Sequence, residues 1–256
     1  MAGYGKAIGV KKNMPMSDNA VIAERLAVVC ERIEKAAQKS GRQSDDIVVV
    51  AVSKGFPPEV VEEAHKNGLY CFGENKVQEA KQKIPLCSGD IEWHMVGHLQ
   101  SNKTRDAVRL FAMVHSVDSL ELLEKLNNEA EKAGKVMPIC LQVNVSGERS
   151  KFGMKPEEVE SIIKAADSYH NVVVRGLMTI PPYSKDPEMS RPFFRKLADL
   201  RNLCQGVTGR SDLGLSMGMS EDFEIAIEEG ANWIRIGRAI FGDRPKKVPV
   251  IDGETL

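Results

Sequence analysis

The chain has 256 residues, 42% of them apolar and 28% charged, enough for one large domain with a real core. Its 35 basic and 36 acidic side chains nearly cancel, which argues against a general nucleic-acid-binding or membrane-binding surface. Cys30, Cys71, Cys87, Cys140 and Cys204 are odd in number, widely spaced and without a C-x-x-C pair. They read as reduced thiols of a cytoplasmic protein, not as a disulfide frame or a zinc site.

Residues 1–16 carry lysines but no continuous apolar stretch, so they read as a flexible tail, not a secretory signal; 17–256 read as one domain. No segment approaches transmembrane length. Ser17 or Asp18 can cap a first helix, in which Ile22, Leu26, Val29 and Ile33 repeat at helical spacing until Gly41. Strand and helix signals then alternate. Apolar runs at 47–53, 69–73, 91–97, 113–116, 137–145, 172–180, 213–217 and 233–236 are separated by charged stretches, among them 57–67, 120–132, 156–167, 188–203 and 221–229. About eight such units predict an α/β fold: a single (β/α)8 TIM-like barrel with an extra N-terminal helix. A doubly wound open sheet is the competitor, but no G-x-G-x-x-G follows the first strand.

Barrel chemistry collects where strands end and βα-loops begin. Lys54 ends the first apolar run there, and an ammonium in that place needs a counter-ion, a lowered pKa or a covalent partner. Glu74, Asn75, His98, Asn144 to Ser146, Met178, Thr179, Ser216 to Gly218, Gly237 and Arg238 converge on the same mouth. The loops after strands seven and eight suit a phosphate: Ser216 offers a hydroxyl, Gly218 and Gly237 allow close backbone approach, and Arg238 adds charge. Ser220 is expected to cap the helix at 221–229, whose first-turn acids Glu221, Asp222 and Glu224 would push the phosphate toward Gly237 and Arg238. Alternation in Trp233-Ile234-Arg235-Ile236 turns Arg235 and Trp233 toward the barrel interior. An aldehyde, a phosphate and a ring nitrogen on one ligand would satisfy Lys54, the phosphate loops and Arg235. Pyridoxal 5′-phosphate (PLP) is such a ligand, and a sugar phosphate held as a Schiff base is the other candidate.

Six separated segments carry a resemblance to a known family: Ala51-Val52-Ser53-Lys54, Phe72 to Glu79, Trp93 to Lys103, Arg175-Gly176-Leu177-Met178, Leu215 to Ser220 and Arg235 to Gly242. With these the chain resembles the pyridoxal phosphate homeostasis protein family, which is similar to the barrel half of alanine racemase. The resemblance implies that Lys54 holds PLP as an internal aldimine, that Ser216, Gly237 and Arg238 surround its phosphate, and that Arg235 faces the pyridine nitrogen. It alone places Asn75 near the ring. It further implies PLP homeostasis and delivery to apo PLP-dependent enzymes, with no catalytic residue assigned. Family members often carry threonine at Gly55 and proline at His98.

A PLP-dependent amino-acid racemase is the alternative. It needs a second acid/base group beside Lys54, and the stretch from Asp243 to Leu256 is too short to supply another domain. Without that domain a monomer is expected. A class I aldolase-like barrel fits poorly, because 172–180 holds no lysine. His94 reads as a packed histidine, and its spacing to His98 does not make a metal site without H-E-x-x-H. Lys103, Arg105 and Arg109 read as a solvated basic face, with docking of acidic partners as the other reading. The polar loop 146–153 can act as a lid or offer Lys151 as a second, weaker attachment point.

Overall fold

The structure, a computed structural model, describes residues 20–244. The tail assigned to 1–16 and the caps at Ser17 and Asp18 lie outside the described residues, as do the residues after Arg244.

Eight parallel strands close into one barrel in sequence order. They are β1 (Val48–Val52), β2 (Cys71–Glu74), β3 (Glu92–Met95), β4 (Met113–Val117), β5 (Met137–Gln142), β6 (Val172–Met178), β7 (Gly214–Ser216) and β8 (Trp233–Ile236). Helix α1 (Ala20–Lys39) precedes them. The connecting helices are α2 (Pro58–Lys66), α3 (Val77–Lys83), α4 (Thr104–Leu110), α5 (Leu120–Lys132), α6 (Val159–Ala166), α7 (Arg191–Thr208) and α8 (Phe223–Glu228), with a short α9 (Arg238–Phe241) after β8. The barrel and the extra N-terminal helix expected from the alternating pattern are both present.

Strand β1 shows how the sequence distributes its side chains. Val49 and Ala51 face the helices and join the main core with Phe72, Phe111, Phe194 and Phe223. Val50 and Val52 belong to a separate small cluster with Cys71 and Val96. Full burial of a side chain of this size contributes about 1.5–3 kcal/mol, so the layer between barrel and helices supplies most of the stabilisation. The barrel interior is different. Besides two small apolar clusters it holds His94, His115, Ser216 and Arg235, all at most 5% exposed. Helix α1 packs on α8 and α9, where Arg32 binds Glu224 through two hydrogen bonds of 2.7 and 2.8 Å and lies 4.5 Å over the Phe223 ring.

Some boundaries differ from expectation for local reasons. Strand β5 ends at Gln142, because Asn144 turns the chain: its carboxamide accepts the Gly147 N–H and donates to the Glu148 carbonyl. A 3-10 turn, Pro187–Ser190, precedes α7, which runs on to Thr208 and stops at Gly209 with φ 68°. The expected cap at Ser220 is not formed. Helix α8 starts at Phe223, Asp222 takes the N–H of Met219 at 2.7 Å, and the Ser220 hydroxyl accepts the N–H of Ala239 at 3.2 Å. Gly218 makes this turn possible. Its φ is 90°, and a Cβ would lie 2.5 Å from that of Ala226, so only glycine fits.

Candidate functional site

Two cavities open at opposite ends of the barrel. One, about 370 Å³, is bounded by the strand starts Val48, Met113, Gly214 and Trp233. The other, about 420 Å³, lies at the strand ends, where chemistry gathers in such barrels. Lys54, Asn75, Arg235, Gly237 and Arg238 all line it. Five of the six site residues expected from sequence therefore share one pocket. Ser216 stands behind it, fully buried, with its hydroxyl 2.8 Å from Arg235 Nη1 and 2.7 Å from His115 Nδ1.

Lys54 is half-buried at the end of β1. Among the described residues it makes no hydrogen bond or ion pair. Burial lowers its pKa from the usual lysine value, and the charges of Arg244 and Arg235 push the same way against opposing pulls from Glu74 and Glu79. The amine is thus predisposed to lose its proton and act as a nucleophile.

Beneath Lys54 lies a buried charge cluster that fixes the adjoining backbone. Lys83, 5% exposed on α3, donates to Glu74 Oε1 (2.6 Å), to Glu79 Oε1 (3.0 Å) and to the carbonyl of Ser53 (2.8 Å). The Ser53 hydroxyl donates to the same Glu74 oxygen, and Glu79 accepts the N–H of Gly55. Both neighbours of Lys54 are therefore tied to one lysine and two carboxylates. Burial raises the pKa of Glu74 despite the opposing pull of Lys83. Glu79 is also penalised by burial, but the Gly55 N–H and Lys83 prevail and its pKa falls.

Arg235 is 5% exposed and donates from Nη2 to the Thr179 carbonyl (2.8 Å) as well as to Ser216. Burial lowers its pKa to about 10, so it stays protonated at neutral pH. Gly237 approaches β1 closely: a Cβ there would lie 3.2 Å from the Val52 carbonyl oxygen. Arg238 has a two-thirds exposed side chain and pairs with Glu221 at 3.2 Å. The pocket wall carries four cations, Lys54, Arg235, Arg238 and Arg244, against the carboxylates of Glu221 and Asp243, which favours an anionic ligand.

Other expected mouth residues have different partners. His98 stacks on Phe152 with ring centroids 3.8 Å apart and pairs with Asp118 at 3.3 Å. Lys151 lies 2.7 Å from Glu148. No residue of the loop 146–153 lines the pocket. His94 does not meet His98; it packs inside the barrel beside Cys71 and Glu92. Sequence reasoning missed Tyr183, Met219 and Arg244 as lining residues, and it missed the partners of Glu74. A glutamate closing the apolar run Cys71-Phe72-Gly73-Glu74 was the available signal, since a buried carboxylate requires a cation or donor nearby.

Fold and pocket define a single closed parallel α/β barrel with a cation-rich pocket at its strand ends, and its relatives are barrels of a known family. Residues 26–245 match the family described as "Alanine racemase, N-terminal domain". The pyridoxal phosphate homeostasis protein of Aquifex aeolicus is 43% identical over 222 residues, 86% of this chain and 97% of that protein. Its counterpart in Pseudomonas aeruginosa is 42% identical over 232 residues, 90% of this chain and 99% of that protein. PipY of Synechococcus elongatus, solved with PLP bound, superposes with a TM-score of 0.77 at 35% identity, covering 86% of this chain and all of that one. The chain belongs to the alanine racemase N-terminal domain family and, within it, to the pyridoxal phosphate homeostasis proteins. Among the described residues no helix is long and apolar enough to cross a membrane.

Proposed function

We propose that the chain binds PLP in the pocket at the strand ends, holds it reversibly through a covalent link to Lys54 Nζ, and serves to store the cofactor and pass it to apo-enzymes. The observation that carries the reading is Lys54 itself: a half-buried amine of lowered pKa, without an ion pair among the described residues, in a pocket with an excess of cations. The cofactor would bring an aldehyde that condenses with an amine and a phosphate that needs cations and N–H donors. The residues present fit both demands. Lys54 supplies the amine, while Gly237 and Arg238 stand ready for the phosphate. Arg235 holds its proton and so can donate toward a ring nitrogen, and Asn75 lines the wall beside Lys54. Ser216 serves the site through Arg235. The names of the relatives and the PLP in PipY support the same reading.

Incubation with PLP, borohydride reduction and peptide mapping test it. The expected result is one stable adduct on Lys54 that is absent in Lys54→Ala; reduction with no adduct on Lys54 would overturn the reading. Racemisation is the second reading, favoured by one observation: the Tyr183 phenol lines the same pocket as Lys54 and offers a second acid/base group. Incorporation of solvent deuterium at an amino-acid α-carbon would establish turnover. Its absence leaves a carrier.

A further inference from the structure

Barrel interiors of this type are filled with layers of branched apolar side chains. This one instead contains a continuous polar chain that starts at β3, crosses the axis and ends in the pocket. Glu92 Oε1 lies 2.8 Å from His94 Nε2, His94 Nδ1 lies 2.9 Å from His115 Nε2, and His115 Nδ1 lies 2.7 Å from Ser216 Oγ. Arg235 Nη1 then reaches Ser216 Oγ at 2.8 Å. His115 and Ser216 are fully buried, and His94 is 2% exposed.

The donor sense of this chain is decided by its two ends. Arg235 can only donate, so Ser216 Oγ accepts from it. The Ser216 hydrogen then needs an acceptor, and His115 Nδ1 is the partner at hydrogen-bond distance. His115 must therefore carry its proton on Nε2, which faces His94 Nδ1 and makes that nitrogen an acceptor. His94 in turn carries its proton on Nε2 and donates to Glu92. Every step points the same way, from guanidinium to carboxylate. The opposite sense would strand the Ser216 hydrogen in a fully buried place. Cys71 Sγ, 3.6 Å from His94 Nδ1, adds only a weak donor to the same nitrogen. Burial and the nearby charge of Arg235 also favour the neutral form of His115.

We propose that Glu92, His94 and His115 are positioning residues for Arg235: a one-way donor chain that makes Ser216 a strong acceptor and locks the guanidinium at the pocket wall. Hydrogen bonds in such a series polarise one another, so a carboxylate at the far end strengthens the last bond in the series. The part concerning the cofactor rests on the PLP reading above; the geometry of Arg235 does not.

Nitrogen-15 NMR of the full chain without cofactor tests the chain directly. The expected spectrum has His94 and His115 neutral at neutral pH, each protonated on Nε2, and resolved Arg235 Nη signals from a guanidinium held in place. An Nδ1 proton or an imidazolium on either ring would overturn the proposal. His115→Phe removes the acceptor while keeping bulk, and His115→Asn restores an acceptor near the Nδ1 position. The Arg235 Nη signals should broaden in the first variant and return in the second; unchanged signals in His115→Phe refute positioning. With PLP added, His115→Phe should bind about tenfold more weakly and show a shifted visible absorption maximum, both recovered in His115→Asn. A protein that passes the cofactor-free tests but takes up no PLP would sink the functional reading alone. If His115→Phe does not fold, the wild-type spectrum still decides the tautomers.

Discussion

Replacing Lys83 by methionine is the most informative single perturbation of the site. The change keeps most of the apolar stem but deletes three hydrogen bonds, to Glu74, Glu79 and the Ser53 carbonyl. It leaves the fully buried Glu74 with only the Ser53 hydroxyl on Oε1 and, among the described residues, no partner on Oε2. Removing one partner of a buried ion pair costs about 3–5 kcal/mol, because an uncompensated charge stays behind. For a chain of this size that corresponds to a fall in Tm of about 6–20 °C. The loss should depend on pH in a set direction. Without Lys83 the Glu74 carboxyl has a folded pKa raised further above its unfolded value, so the variant is least impaired at acidic pH and loses stability as pH rises through that folded pKa. Adding Glu74→Gln removes the charge, so the double variant should recover to within about 1.5 kcal/mol of the parent. Thermal melts followed by circular dichroism at acidic and mildly alkaline pH provide the assay. A cost below about 1 kcal/mol, a deficit independent of pH, or no recovery in the double variant would each refute the reasoning. The same variant releases the Ser53 carbonyl and leaves the two carboxylates that hold Ser53 and Gly55 without their shared cation, so slower PLP attachment is expected even in the folded fraction.

Other consequences are simpler. PLP attachment should accelerate as pH rises through the Lys54 pKa, which burial and Arg244 hold below the ordinary lysine value; Arg244→Gln removes one lowering charge, so stopped-flow absorbance should show the rising limb at higher pH. Gly218→Ala forces a side chain onto a φ of 90° and a 2.5 Å approach to Ala226, and should cost about 2–4 kcal/mol in urea melts. Arg238→Ala removes an exposed pair with Glu221, so it should change stability by less than about 1 kcal/mol. Equilibrium titration of the same variant should still show weaker PLP binding, through loss of a cation at the pocket wall.

The parts of this molecule legible in sequence are those set by local periodicity. The strand β1 pattern, the inward turn of Arg235 and the placement of Lys54 at a strand end all follow from alternation within a few residues. Long-range partners were not legible. Lys83 sits on a charged helix and reads as a surface lysine, yet the barrel folds it onto a glutamate nine residues earlier in sequence and onto a carbonyl thirty residues earlier. His115 lies in Met113-Val114-His115-Ser116-Val117 and gives no local hint of the five-residue chain to which it belongs. Ser220 shows the reverse error. Its helix-cap signature is real, but the turn at Gly218 delivers its hydroxyl to Ala239, where the backbone N–H after β8 needs an acceptor.

The site is unevenly built, and this bears on how a cofactor would leave it. At one end, Lys54 is braced by the Glu74–Lys83 cluster and Arg235 by Thr179 and Ser216. At the other end, Tyr183 is 82% exposed, Arg238 is two-thirds exposed, and the loop 146–153 folds over His98 instead of the pocket. With this rim of Tyr183 and Arg238 exposed to solvent, we expect breaking of the link to Lys54 to limit release. A small amine nucleophile such as hydroxylamine should therefore speed release in proportion to its concentration, at rates insensitive to added viscogen. A release rate that reaches a plateau with rising hydroxylamine would instead reveal a conformational gate, and the open mouth could not be the state from which the cofactor departs.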